Sequence, residues 1–248
     1  MELKKLMDYT GELLQIARFQ DYCPNGLQVE GRGEIRTIVS GVTASMALLD
    51  AAAEMRADLV LVHHGYFWRN EDPRILGMKR SRLKFLLEQD INLAAYHLPL
   101  DAHPELGNNA QLGRVMGVAL EGLAGEPAII AHGSLSRPAT LQAFGAHLES
   151  ALRRQPMLIG DPDRTLKRIA WCTGAAQSHF EEALALGVDA FISGEISEQT
   201  VHLARESGVA YIAAGHHATE RYGIQALGEH LADKFRLQHA FIDIDNPV

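Results

Sequence analysis

Two cysteines in 248 residues, Cys23 and Cys172, stand far apart and in no metal-binding or redox spacing. They offer neither a disulfide framework nor a cysteine-rich zinc site. Long apolar runs are also missing. The longest are strand-length, short of the roughly 18 residues that span a bilayer, and the N-terminus has no signal pattern. A soluble, cytoplasmic protein is expected. Basic runs are scarce as well: the formal charge is −8, and "MKRSRLK" (78–84) reads as a solvated helix face. That balance opposes binding driven by phosphate neutralisation, so nucleic acid is not an expected partner. No low-complexity segment occurs. "EGRGE" (30–34) lacks the Lys-Ser/Thr of a phosphate loop and reads as a turn.

With 47% hydrophobic and 22% charged residues, the chain can bury a substantial core. "MELKKLMDYTGELLQIARF" places Leu3, Leu6, Met7, Thr10, Leu13, Leu14 and Ala17 at helical spacing. Strand-like runs at about 35–43, 58–64, 91–97, 127–135, 165–173, 189–194, 209–214 and 238–244 alternate with helical patterns. The helices are expected near 2–18, 45–56, 79–90, 108–116, 140–153, 178–187, 197–207 and 217–235. Such alternation specifies an α/β fold with largely parallel sheets, whose functional residues gather beyond the carboxyl ends of strands.

An internal echo sharpens this expectation. "IVSGVTASMALLDAAAEMRADLVLVHHG" (38–65) lines up without gaps on "IAWCTGAAQSHFEEALALGVDAFISGEI" (169–196), matching Asp58 with Asp189 and His64 with Glu195. "AAYHLPLD" (94–101) then lines up on "AAGHHATE" (213–220), matching His97 with His216 and Asp101 with Glu220. Two similar α/β halves follow, divided in the loop "GLAGEPA" (122–128) as 1–126 and 127–248, with exchange of segments between them left open.

The abundant residue is histidine, with twelve copies. Four clusters fall at strand ends: His63-His64; His97 with Asp101; Glu195; and His216, His217 with Glu220. Imidazole and carboxylate ligands without thiolate suit zinc, iron or manganese, and their number exceeds one tetrahedral site. Two metals would use the surplus. In "GHHATERYGIQALGEHL", His216 and Glu220 share a helical face and His217 turns about 100° away, toward packing or a supporting place behind the ligands. His63 and His64 pose a puzzle, because neighbours on a regular strand point to opposite faces. A strand that ends at His63 and releases His64 into a turn would resolve it. "GYFW" (65–68) suits an aromatic wall, a lid or packing, and the Asn25-Gly26 turn a loop lining the site. His103, His132, His147, His179, His202, His230 and His239 read as surface or structural residues.

"PNGLQV", "HHG", "HLPLD", "SGEIS" and "GHHATE", in that order, resemble the Nif-three-like proteins, whose members carry the name GTP cyclohydrolase I type 2 homologue. The match covers nearly the whole chain and its length resembles the short bacterial form without an inserted domain. The resemblance implies two similar α/β halves, a dinuclear metal centre in a cleft between them, and a toroidal homohexamer built as a trimer of dimers. It places the metal ligands on His63, His64, Asp101, His216 and Glu220, with His97 and Glu195 lining the same site as proton relay or pocket. His217 departs from the pattern, where many relatives carry an aromatic or small residue. Two divalent ions per subunit would make a metal-dependent hydrolase acting on a small molecule, by attack on C8 of a guanine ring or on phosphorus. The other readings open at this point are a non-catalytic protein that stores, senses or delivers metal, and a DNA-damage-associated ring.

Overall fold

The computed structural model describes residues 1–248 and is a mixed α/β protein with two sheets. Its strands are β1 (Gly26–Val29), β2 (Thr37–Thr43), β3 (Leu59–His64), β4 (Asn92–Ala95), β5 (Val118–Ala124), β6 (Ile130–Thr140), β7 (Met157–Ile159), β8 (Thr165–Cys172), β9 (Ala190–Ser193), β10 (Ala210–Ala213) and β11 (Gln238–Phe241). The helices are α1 (Leu3–Leu13), α2 (Met46–Glu54), α3 (Gly77–Gln89), α4 (Leu98–Ala102), α5 (Asn108–Met116), α6 (Leu141–Leu152), α7 (Phe180–Leu184), α8 (Glu198–Ser207) and α9 (His216–Phe235). None is long and apolar enough to cross a membrane.

The chain gathers into two compact units that are not contiguous halves. One comprises Met1–Leu100 with Gly223–Asp245, the other Asp101–Tyr222 with Asn246–Val248. Residues 101–126, expected in the first half, fall in the second unit because α5 and β5 pack with its sheet. Residues 223–245, expected in the second half, fall in the first because β11 pairs with β2. Both divisions lie inside helices, α4 and α9.

The first unit holds the sheet β1-β4-β3-β2-β11, in which β4, β3, β2 and β11 are parallel and β1 is antiparallel to β4. The central strands β3 and β4 are buried almost throughout because both faces are covered. Val39, Val60, Val62, Leu93 and Ala95 pack with Leu48, Leu49 and Ala52 of α2 and Leu86 of α3. Burying one such Leu or Val contributes about 1.5–3 kcal/mol. Ser45 starts α2 by accepting a hydrogen bond from the Leu48 amide at 3.3 Å.

The second unit holds the sheet β5-β6-β8-β9-β10-β7. Only β8, β9 and β10 are parallel, so this sheet is mixed rather than largely parallel. Side-chain alternation splits its core cleanly. Ile169, Trp171, Ala190, Ile192, Ala210 and Ile212 pack with α5 and α6, whereas Ala170, Cys172, Phe191 and Tyr211 pack with Phe180 and Ala183 of α7.

The strand orders β1-β4-β3-β2 and β7-β10-β9-β8 run alike, each with an antiparallel strand outside three parallel ones. One polar device recurs at matched positions. Asp58 Oδ2 accepts the amides of Arg36 and Thr37 at 2.8 and 2.9 Å, and Asp189 Oδ2 accepts those of Lys167 and Arg168 at 2.8 and 3.0 Å. Each carboxylate thereby satisfies two donors just ahead of a parallel pairing, Ile38 with Leu59 and Ile169 with Ala190. Strand register also adjusts the echo. Leu59 pairs with Asn92 as Ala190 pairs with Ala210, so the strand alignment is one residue off the expected match of Ala94 with Ala213. The second copy carries one more residue before its histidine.

Candidate metal centre

β3 carries both His63 and His64 within the strand, since His64 pairs with Thr43 and its carbonyl accepts the Ala44 amide at 2.9 Å. The expected release of His64 into a turn does not occur. The two rings instead lie 4.6 Å apart, centroid to centroid, with a 42° tilt. Each is tied to a different neighbouring strand end. His63 Nδ1 meets the Tyr96 carbonyl, just past β4, at 2.8 Å, and His64 Nδ1 meets Thr43 Oγ1, at the end of β2, at 3.2 Å. A histidine whose Nδ1 is held by a carbonyl presents Nε2 as its ligand atom.

His97 follows β4 and joins this pair, its ring 5.1 Å from His63 and 5.9 Å from His64. One ring nitrogen from each of the three lies within 4.8 Å of the other two. Its partner is Asp21, a residue with no local sequence signal. The Asp21 side chain is only 3% exposed and accepts the His97 Nδ1 proton at 2.7 Å. Burial alone would raise the Asp21 carboxyl, but hydrogen bonds from His97, Asn25 and Tyr22 outweigh it and hold the group below its ordinary value. Asn25 accepts the His97 amide at 2.8 Å, so the Asn-Gly loop does support this cluster. Trp68, from the "GYFW" segment, forms the aromatic wall, set edge-on to His97 at 5.0 Å and 84°. Tyr66 is buried, with its hydroxyl donating to the Ala44 carbonyl at 2.8 Å.

In the second unit the strand ends assemble carboxylates. Asp101, buried on α4, accepts from Asn108 Nδ2 at 2.8 Å and Thr173 Oγ1 at 3.3 Å. Glu220, 3% exposed, lies 3.0 Å from His216 Nε2, and Glu195 Oε1 lies 2.7 Å from His216 Nδ1. The i, i+4 spacing on α9 thus pairs His216 with Glu220 as read from the sequence. Burial would lower the His216 imidazole, but Glu220 and Glu195 dominate and push it up to about 9. Gly174, at φ +67°, makes room for this pair: a Cβ built there would overlap Glu220 Oε1 and lie 3.1 Å from His216 Nε2. Thr219 Oγ1 accepts the Gly174 amide at 3.1 Å and donates to the His216 carbonyl at 2.9 Å. Cys172 is buried below, its thiol raised by burial first and then by the charges of Asp101 and Glu220.

His217 is buried, its amide bonded to the Val248 carbonyl at 3.0 Å, in keeping with packing. His202 is exposed on α8. His230 bonds the Tyr9 hydroxyl and His239 the Ser40 hydroxyl, both at 2.7 Å, as structural residues do. Sequence reasoning missed Asp21, Asn108, Thr173 and Gly174, none of which is a His or a carboxylate at a predicted strand end.

The donors are imidazole nitrogens and carboxylate oxygens. Burial and the Asp21 charge raise the Cys23 thiol to about 12, and Cys172 is raised as well, which keeps both sulfurs protonated. This donor set fits a divalent zinc, iron or manganese ion.

The family model described as Duf34/NIF3 (NGG1p interacting factor 3) matches residues 1–247. A Pseudomonas aeruginosa protein named GTP cyclohydrolase 1 type 2 homolog is 58% identical, covering 99% of this chain and 98% of that one. A Neisseria meningitidis protein of the same name is 53% identical, over 99% and 98%. Among solved structures, protein ybgI, described as of unknown function, aligns over the full length of both chains with a TM-score of 0.97 and 52% identity. TTHA1606 from Thermus thermophilus does so with a TM-score of 0.91 and 33% identity. On these matches the chain belongs to the Duf34/NIF3 family.

Proposed function

We propose that the protein is a metal-dependent hydrolase of small molecules, in which His63, His64, Asp101, His216 and Glu220 hold two divalent ions, zinc, iron or manganese. The observation that carries this reading is the convergence of His63, His64 and His97, two of whose rings are tied back through Nδ1 to a carbonyl or a carboxylate. Ions held by such residues supply Lewis acidity and a water-derived nucleophile at neutral pH. His97 and Glu195 then hold and move protons. Trp68 keeps bulk water from one side of the imidazole cluster. The relatives' shared name puts GTP first in a substrate panel.

The assembly that goes with this reading is a toroidal homohexamer, a trimer of dimers, in the cytoplasm. Light scattering of the purified protein checks the hexamer. The reaction is tested by metal analysis together with a hydrolysis screen that includes GTP, run on wild type, His64→Ala and Glu220→Ala. The expected result is hydrolysis in wild type and its loss in both variants. Equal activity in all three, or a metal-loaded wild type that turns over nothing, contradicts the hydrolase reading; the second outcome leaves a protein that stores, senses or delivers metal.

A further inference from the structure

The carboxylate of Asp21 has every acceptor direction committed. Oδ1 takes the Tyr22 amide at 2.6 Å and His97 Nδ1 at 2.7 Å; Oδ2 takes Asn25 Nδ2 at 2.8 Å and the Leu98 amide at 2.9 Å. Two of these partners are backbone N–H groups and a third is an amide NH2, all obligate donors. An ionised carboxylate only accepts, so the proton between Asp21 and His97 sits on Nδ1. With Nδ1 committed as a donor, Nε2 is the ring position left to accept. The His97 backbone and ring are both held by neighbours. Asn25 holds the His97 amide at 2.8 Å, Trp68 stands edge-on at 5.0 Å, and Tyr22 flanks the ring at 6.3 Å and 64°. The same carboxylate joins the Asn-Gly loop to the start of α4 through Leu98, so loop and histidine are set by one group.

We propose that Asp21 is a positioning residue that locks His97 in its Nδ1–H tautomer and turns Nε2 toward the His63–His64 pair as the site's proton acceptor. This rests on the hydrolase reading for its catalytic consequence, but the tautomer is a property of the metal-free protein. Asp21→Asn is the discriminating change, because an amide can donate to Nδ1 and so reverse the tautomer while keeping nearly the same shape. In a serine-protease triad the equivalent reversal costs about 10⁴-fold in kcat.

The test uses metal-free protein labelled with [15N]histidine and read by solid-state 15N NMR, with His97→Gln identifying the His97 signals by difference. Wild type is expected to show a protonated Nδ1 and an unprotonated Nε2, and Asp21→Asn the reverse. In metal-replete protein, Asp21→Asn is expected to keep its metal content and to lose at least about 10²-fold in kcat with KM little changed. Asn25→Ala, which removes the amide contact but leaves the Asp21–His97 bond, is expected to keep the tautomer. An Nδ1–H ring in Asp21→Asn, or metal lost in step with activity, overturns the proposal, the latter by making His97 a ligand. A wild type that binds metal but hydrolyses nothing defeats the hydrolase reading and the acceptor role, and the NMR result still decides the tautomer lock.

Discussion

The two strand-end clusters occupy corresponding places in their sheets and use opposite chemistry. Past β3 and β4 the first unit gathers three imidazoles, and its one adjoining carboxylate, Asp21, is spent on hydrogen bonds. At the ends of β8, β9 and β10 the second unit pairs Glu195 and Glu220 with one histidine, His216, and holds Asp101 on Thr173. Similar strand order therefore fixes where these side chains emerge, and the residue at each strand end decides their chemistry. Imidazole nitrogens and carboxylate oxygens are both donor types that suit divalent ions.

The sharpest break in this comparison is expected from Gly174→Ala. The new methyl overlaps Glu220 Oε1 and the backbone sits at φ +67°, so both space and conformation oppose it. We expect a destabilisation of about 1–3 kcal/mol and loss of bound metal, read by thermal melting and elemental analysis. A variant that melts and loads like wild type would show that the site does not need the glycine.

The matched carboxylates Asp58 and Asp189 should separate by burial. Asp58 is buried and adds Arg32 at 3.1 Å to its two amides, while the Asp189 side chain is 30% exposed. Asp58→Ala is expected to cost about 2 kcal/mol and Asp189→Ala about 1 kcal/mol in urea unfolding. Equal costs would show that the exposed partner is no better hydrated than the buried one.

Charge gives a smaller, pH-dependent contrast. In metal-free protein the His216 pKa lies at about 9 against an ordinary 6.5. A raised folded-state value means its ion pairs contribute fully below the unfolded value and are lost as pH rises through about 9. The melting temperature of chelated wild type should therefore fall across that window, and that of His216→Asn should not. Smallest of all, both thiols are raised by burial, so iodoacetamide at about pH 8 should label neither Cys23 nor Cys172 until the chain is unfolded.

Much of this was legible in the sequence. The apolar runs of β3, β9 and β10 and the His and Glu residues at or just past their ends stand out because burial on both faces leaves an uninterrupted signal. Three strands, β1, β5 and β7, left no such signal. Two of them are only three or four residues long, and all are antiparallel partners at sheet edges whose pairing is decided by distant residues. The exchange of segments, left open by the sequence, could not be located there, because β11 returns to the first sheet by pairing with a strand far away in the chain. Asp21 and Thr173 were illegible for the same reason. Each acts on a residue more than 70 positions away, where no periodicity points.

The proposed function rests on His63, His64, Asp101, His216 and Glu220 holding a pair of ions. Equilibrium titration of metal-free protein with zinc, followed by elemental analysis after desalting, tests it most directly. Two equivalents per chain are predicted, with tight binding lost in both His63→Ala and Glu220→Gln. Fewer than one equivalent under metal-replete conditions, or unchanged stoichiometry in both variants, would contradict it.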